Sequence, residues 1–319
     1  MIVDTPIIDL KGLHKSYGKH KAVDGLDLQI YKGEIFGLLG PNGAGKSTTI
    51  LMMMGLSEAS AGHINIAGIN PQRNPIEVKR VIGYLPDNIG FYEQRSGREN
   101  LELIGRLNGL STEEAREKAY ALLQKVGLDK VADKKVGTYS RGMKQRLGLA
   151  ETLIKDPQIL ILDEPTLGLD PTGVKEFLHL IQELNRSQQL TVLLASHHLH
   201  QVEEVCHRVG LFVAGRLVAE GDIQQLADQL FANSHPTVLV STDSTDKEKI
   251  KKAEDMLIAQ ESVVSVDFRD NNFTIQHTNH DTLPIMDIFL RTQVPVTSLQ
   301  QRTYGLDDIY SFYFKDSSI

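Results

Sequence analysis

The run Gly40 to Ser47, GPNGAGKS, constrains this 319-residue chain more than any other stretch. It follows an apolar strand-like segment, IFGLL, and precedes a helix-like one, KSTTILMMMGL. The pattern G-x-x-x-x-G-K-[ST] in a strand–loop–helix context is a phosphate cradle. Gly43 and Gly45 let the backbone curl, so that N–H groups from Asn42 through Ala44 and Gly45 turn inward toward phosphate oxygens. A helix starting near Lys46 adds its positive end. Lys46 brings a mobile ammonium for β- and γ-phosphates, Ser47 a hydroxyl for Mg²⁺, and Thr48 a second hydroxyl for a phosphate oxygen. An ordinary glycine-rich turn is the alternative, and the complete motif with both flanking elements argues against it.

A second segment, LILDEP (160–165), ends a short continuous apolar run, as expected of a central parallel strand buried on both faces. An acid at the end of such a strand, opposite the cradle, is placed to hold Mg²⁺ directly or through water, which selects Asp163. Glu164 is expected to point elsewhere, because side chains alternate at a strand end, and to polarise an attacking water. A helix-capping acidic pair is the competing reading. His197 follows a third strand-like run, LTVLLAS, level with the other two motifs, where a ring N–H reaches the γ-phosphate. His198 is expected to face away. Lys46, Glu164 and His197 are therefore the catalytic candidates, with Ser47 and Asp163 as metal ligands.

The rest of the chain organises around these motifs. Residues 1–85 alternate strand-like runs and glycine turns, which suggests an antiparallel layer beside a main sheet. Residues 92–157 read as amphipathic helices, with Ser111 and Glu114 forming a capping box, so they look like a helical insertion. Strand–helix alternation resumes from 158 and closes with the hairpin GLFVAGRLVAEG. FANSHPT marks a linker near 231. Beyond it the order strand, helix, strand, strand, helix, strand is the split βαβ of ferredoxin-like folds, with Asp270-Asn271-Asn272 as its hairpin turn. A tail with Ile309, Phe312 and Tyr313 at helical spacing packs back on a domain. The expected division is 1–230 and 231–319.

Composition excludes several classes. The net charge of −7 does not suit a nucleic-acid binder that works by bulk charge. Residues from 231 on hold 13 acids and 8 bases, a solvated face or a site for a basic partner. The single cysteine, Cys206, rules out an intramolecular disulfide and reads as a core thiol. MIVDTPIIDLKG lacks the pattern of a signal peptide, and no stretch approaches the roughly 20 apolar residues of a membrane span.

These motifs together resemble the ATP-binding subunits of ABC transporters, over residues 5 to about 230. GPNGAGKST looks like the Walker A motif and LILDEP like the Walker B. The resemblance implies an α/β fold, a P-loop NTPase cassette with a mixed core sheet, an antiparallel β layer and a helical insertion, followed by a small α+β ferredoxin-like domain. It makes Asp170 the acid of the D-loop, His197 the switch histidine, and Tyr17, in KSYGKHKAV, the ring that stacks on adenine. YSRGM falls where the family has its signature, usually LSGGQ. There Ser140 donates a hydroxyl and Gly142 a backbone N–H to the γ-phosphate held by a partner subunit. Tyr139, Arg141 and Met143 depart from the family pattern, in a form found among drug, antibiotic and polysaccharide exporters and a copper-enzyme-maturation branch. Asp87 stands where the family's Q-loop has Gln or Glu, and a carboxylate there, its arm one methylene shorter than Glu, meets Mg²⁺ or the lytic water directly or through a bridging water.

The resemblance thus implies an ATPase that uses ATP and Mg²⁺ and binds no nucleic acid. It forms a head-to-tail dimer with a second copy of itself and drives an integral-membrane permease, an exporter by analogy. It is peripheral on the cytoplasmic face of the cell membrane, with membrane contact only through the permease. The rivals are a non-transport ABC ATPase and a nucleotide-gated regulator whose C-terminal domain senses a ligand, with His235, His277 and His280 as candidate metal donors. Only about 115 residues separate the Walker motifs, which leaves no room for the long coiled coil of DNA-repair relatives. Lys144 and Arg146 are expected on a solvated helix face.

Overall fold

The computed structural model describes residues 5–232, 235–278 and 281–314. His280 and the first four residues of the N-terminal segment lie outside them. The chain forms two compact units: the break falls between Leu226 and Ala227, and Tyr310–Phe314 belong with the first unit.

The first unit opens with β1 (Ile8–Tyr17) and β2 (His20–Ile30), which join β4 (Ala61–Ile66) in an antiparallel sheet of order β2-β1-β4. In β1, Leu10 and Leu13 are both fully buried although their spacing breaks the strand period of two. A register shift between them, with Gly12 at φ 52°, absorbs the extra residue and returns both leucines to the core face.

The main sheet uses β3 (Ile35–Leu39), β5 (Ile82–Leu85), β6 (Ile159–Asp163), β7 (Thr191–Ser196), β8 (Arg208–Val213) and β9 (Arg216–Gly221) in the order β5-β6-β7-β3-β8-β9. All neighbours are parallel except β9, which returns antiparallel along β8. Every residue of β3, β6 and β7 is buried, which accounts for their unbroken apolar runs. Leu39 pairs with Ser196, and Asp163 with Ala195. The carboxyl ends of these three strands therefore meet along one edge, where open α/β sheets bind ligands. IGYL, the strand β5, was too short to register by patterning.

From these strand ends run α1 (Lys46–Met53), α6 (Pro171–Gln188) and α7 (Leu199–Val205), while α2 (Pro75–Val81) precedes β5. The insertion consists of α3 (Gly97–Leu107), α4 (Thr112–Lys125) and α5 (Arg141–Thr152). Ser111 and Glu114 form the expected capping box, and Ser96 with Glu99 forms a second one at the start of α3. Cys206 follows α7 and is half-buried, and burial pushes its thiol pKa up.

Helix α8 (Ile223–Phe231) spans the break between the units. The second unit has β10 (Thr237–Ser241), α9 (Lys247–Ile258), β11 (Val263–Arg269), β12 (Asn272–His277), α10 (Leu283–Thr292) and β13 (Ser298–Gln301). Its sheet is antiparallel in the order β11-β12-β10-β13, the ferredoxin-like arrangement. Val238, Val240, Phe273, Ile275 and Phe289 fill its core. Asp270 and Asn271, at φ 48° and 62°, make the hairpin turn, and Asn272 already pairs with Arg269 in the ladder. A last helix, α11, covers Leu306–Phe314. No helix among the described residues is long and apolar enough to cross a membrane.

Candidate nucleotide site

The loop between β3 and α1 is built for an anion. Gly45 precedes α1 at φ 109°, and no side chain caps the helix, so its first N–H groups stay open to a ligand. Gly45 is also a packing requirement, since a Cβ there would stand 2.3 Å from the Ala22 carbonyl oxygen. Lys46 is buried, and its Nζ donates to the Gly40 carbonyl at 2.6 Å and to that of Pro41 at 3.3 Å. Burial lowers its pKa, against the pull of Glu164 and Asp163. The loop carbonyls thus hold the ammonium at the cradle until phosphate oxygens replace them.

Ser47 donates its hydroxyl to Asp163 Oδ2 at 3.0 Å, which joins the two motifs across the sheet edge. Burial raises the Asp163 pKa, the Ser47 hydrogen bond opposes that, and the Glu164 and Asp87 charges add to it. Tyr84, on β5, feels the same acids: its pKa is pushed up to about 12 by burial, Asp163 and Asp87. A crowded, desolvated set of hydroxyl and carboxylate oxygens is what a hard divalent cation such as Mg²⁺ selects.

Two expectations at the ends of β6 and β7 are corrected. Glu164 does diverge from Asp163, but the cause is its backbone at φ 48° rather than strand alternation. The turn aims its carboxylate at β7: Oε1 lies 2.8 Å from His197 Nδ1, and Ser196 Oγ donates to Oε2 at 3.3 Å. Lys46 Nζ is 3.8 Å from the same Oε1. His198 does not face away. Its ring centroid lies 4.0 Å from that of His197, and burial, then the His197 charge, lower its pKa against the pull of Glu164.

Lys46, Ser47, Asp163 and Glu164 share a cleft of about 590 Å³ with Tyr17, Asn42, Gly43, Ala44, Thr48 and Asp87, and His197 stands behind Glu164 rather than in the cleft lining. Tyr17 is 52% exposed, with the Lys15 ammonium 4.9 Å from its ring centroid. Asp87 is exposed and accepts from the Asn88 N–H at 2.7 Å. Tyr84 and His20 also line this cleft. Neither belongs to a motif that marks it as a site residue, although Tyr84 sits only three residues before Asp87.

Ser140, Gly142 and Asp170 belong to a different cleft, of about 420 Å³, whose lining shares no residue with the first. Ser140 caps α5, and its Oγ accepts from the Met143 N–H at 3.2 Å. Asp170 caps α6, accepting from the Gly173 N–H at 2.8 Å. The departures at 139–141 have physical accounts. Tyr139 is buried and donates from its hydroxyl to the Val131 carbonyl at 2.8 Å. Gly97 leaves the notch that this hydroxyl fills, as its Cβ would lie 2.4 Å from it. Arg141 lies over the loop after β6, its guanidinium carbon 2.7 Å from where a Gly168 side chain would begin. Lys144 and Arg146 lie on a partly solvated face of α5 and are both paired there, Lys144 with Glu93 at 2.9 Å and Arg146 with Glu176 in the wall of the second cleft.

A cradle, an acid pair and a histidine on three adjacent strand ends define a P-loop nucleoside triphosphatase. Comparison with known proteins narrows the class. The family model described as ABC transporter matches residues 23–167. The ABC transporter ATP-binding protein YxlF of Bacillus subtilis (strain 168), itself uncharacterized, is 36% identical over 306 residues, 95% of this chain and 98% of that protein. The bacitracin transport ATP-binding protein BcrA of Bacillus licheniformis is 42% identical over 214 residues, covering 67% and 69%. Among solved structures, the dimeric post-hydrolysis cassette MJ0796 bound to ADP and Pi superposes with a TM-score of 0.61 at 26% identity, covering 67% of this chain and 98% of that one. This chain belongs to the ATP-binding subunits of ABC transporters, and it binds and hydrolyses ATP.

Proposed function

We propose that this subunit works as a homodimer closing head to tail around two ATP molecules, and that it drives a separate export permease from the cytoplasmic face of the membrane. The observation that carries the reading is the separation of the two clefts. The phosphate cradle and the Ser140–Asp170 cleft have no residue in common, so a second copy is the natural source of the missing half. The Ser140 cap uses an oxygen lone pair, which leaves the hydroxyl proton for a partner's γ-phosphate. The N-terminus of α5 at Gly142 adds its dipole. The dimeric state of MJ0796 and the bacitracin transport role printed for BcrA support the same reading.

Within one half-site, Tyr17 offers an exposed ring to adenine, and the loop from Asn42 to Thr48 wraps the phosphates. Ser47, Asp163 and Asp87 suit Mg²⁺, which when bound would neutralise charge on the β- and γ-oxygens. Glu164 orients water for in-line attack and accepts its proton. His197, held through Nδ1 by Glu164, donates from Nε2 to the γ-phosphate with both ring nitrogens protonated, and Lys46 stabilises the charge that develops there.

The permease reading has its own support beside Asp87. A groove of about 480 Å³ is lined by Pro86, Ile89, Ile104, Leu107 and Glu151. Burial alone raises the Glu151 pKa, so a basic residue on a permease helix suits it. Movement of the segment from Asp87 to Arg98 then carries the nucleotide state to the membrane partner. Residues 231–319 act as an accessory domain. The test is ATPase activity of the subunit alone and assembled with its permease in lipid vesicles. Transport coupling predicts several-fold stimulation on assembly, whereas a regulator with no transport role shows no assembly and no change.

A further inference from the structure

Three side chains of metal-ligand type converge where β6 and β7 end. Glu164 Oε1 and His197 Nδ1 are 2.8 Å apart. The His197 and His198 rings are 4.0 Å apart, tilted by 37°. One donor atom from each of the three residues lies within 4.8 Å of the others, and no other group of His, Cys, Asp and Glu among the described residues comes together in this way. Two imidazoles and one carboxylate form a donor set that suits Zn²⁺ and its borderline neighbours, and it differs from the oxygen set at Ser47 and Asp163. Zinc bonds of about 2.0–2.1 Å in a tetrahedron place donors about 3.3 Å apart. A displacement of the His198 ring by at most about 1.5 Å completes that triangle.

We propose that Glu164, His197 and His198 form an inhibitory site for a transition metal of the Zn²⁺ class. Binding replaces the Glu164–His197 hydrogen bond. The Nδ1 proton leaves or moves to Nε2, and the freed Nδ1 lone pair joins Glu164 Oε1 and a His198 nitrogen on the metal. A fourth position stays open to water. Glu164 then cannot accept a proton from an attacking water, and His197 is held away from phosphate. His198 is the distinguishing residue, because ATP hydrolysis makes no use of it. The inhibition rests on the proposed catalytic role of Glu164, whereas the binding does not.

The experiment titrates nucleotide-free full-length chain with Zn²⁺ by calorimetry and with Co²⁺ by visible absorption, and measures ATPase at saturating Mg²⁺ and ATP as Zn²⁺ is added. Wild type is compared with His198→Asn, a residue favoured at the N-cap position that His198 occupies, and with His198→Ala. The expected result is one Zn²⁺ per wild-type chain, at least tenfold weaker binding in both variants, and a matching rise in the Zn²⁺ concentration that halves activity. Both variants keep wild-type turnover without Zn²⁺. Equal Zn²⁺ affinity in all three proteins overturns the site. His198-dependent binding with unchanged turnover keeps the site and overturns both the inhibition and the assignment of Glu164 as base.

Discussion

Replacing Tyr139 with Phe removes a single oxygen just before the Ser140 cap. The Tyr139 hydroxyl donates to Val131 O at 2.8 Å, and the same carbonyl accepts from the Lys134 N–H at 2.9 Å. Tyr139→Phe therefore leaves the carbonyl paired and costs only the net worth of a hydrogen bond, about 1 kcal/mol. Gly97→Ala puts a Cβ 2.4 Å from the Tyr139 hydroxyl and 3.2 Å from its Cζ. Overpacking of that kind costs about 1–3 kcal/mol. In the double variant the 2.4 Å contact is gone and the 3.2 Å one remains. The pair should then cost less than the two singles together, by on the order of 1 kcal/mol. Scanning calorimetry of the nucleotide-free chain reads this, as about 1 kcal/mol moves the midpoint of a unit this size by roughly 2–4 °C. Additivity within about 0.3 kcal/mol would refute the claim that the hydroxyl occupies the Gly97 notch.

Asp87→Ala should lower permease-stimulated turnover about tenfold or more while ATP binding to the isolated subunit stays near wild type, because the carboxylate is exposed at the cleft and its loss leaves the phosphate cradle intact; equal turnover in vesicles would remove Asp87 from the mechanism. Lys46→Ala should weaken ATP binding about a hundredfold, since a buried cation facing phosphates has no replacement; calorimetric titration with ATP checks it. Glu151→Gln bears on pH. The folded pKa of Glu151 is raised, so the protonated carboxyl is favoured by folding, and wild type loses that stability as pH rises from the unfolded carboxylate range through the folded value. The variant should melt higher than wild type at about pH 8, with the gap closing toward about pH 4. A gap that widens toward acid would contradict the burial of this group.

The cradle was legible because its residues are contiguous and each has a local reason: a left-handed Gly45, a Lys46 facing inward, a Ser47 at the first turn of α1. Asp163 was legible because a continuous apolar run announces where a buried strand stops. Glu164 and His198 were harder, since their direction depends on one positive φ and on the turn into α7, neither of which periodicity encodes. Tyr139 fits a notch at Gly97 and Arg146 pairs with Glu176, both partners far along the chain, so their spacing carried no signal. The strand β5, only IGYL, is specified by its place beside β6 rather than by its own pattern. In the second unit the strand and helix order could be read, because hairpin turns and helix periodicity are local.

The claim that one chain holds only half of each ATP site has a direct test. Glu164→Gln keeps a side chain of the same shape in the cleft and removes its capacity as a base, so ATP should bind and remain. Size-exclusion chromatography with light scattering should find this variant as a dimer in ATP and a monomer without it. Adding Ser140→Arg at the α5 cap should return it to monomer with ATP still bound. A Glu164→Gln chain that stays monomeric at saturating ATP, or a dimer indifferent to Ser140→Arg, would contradict the account.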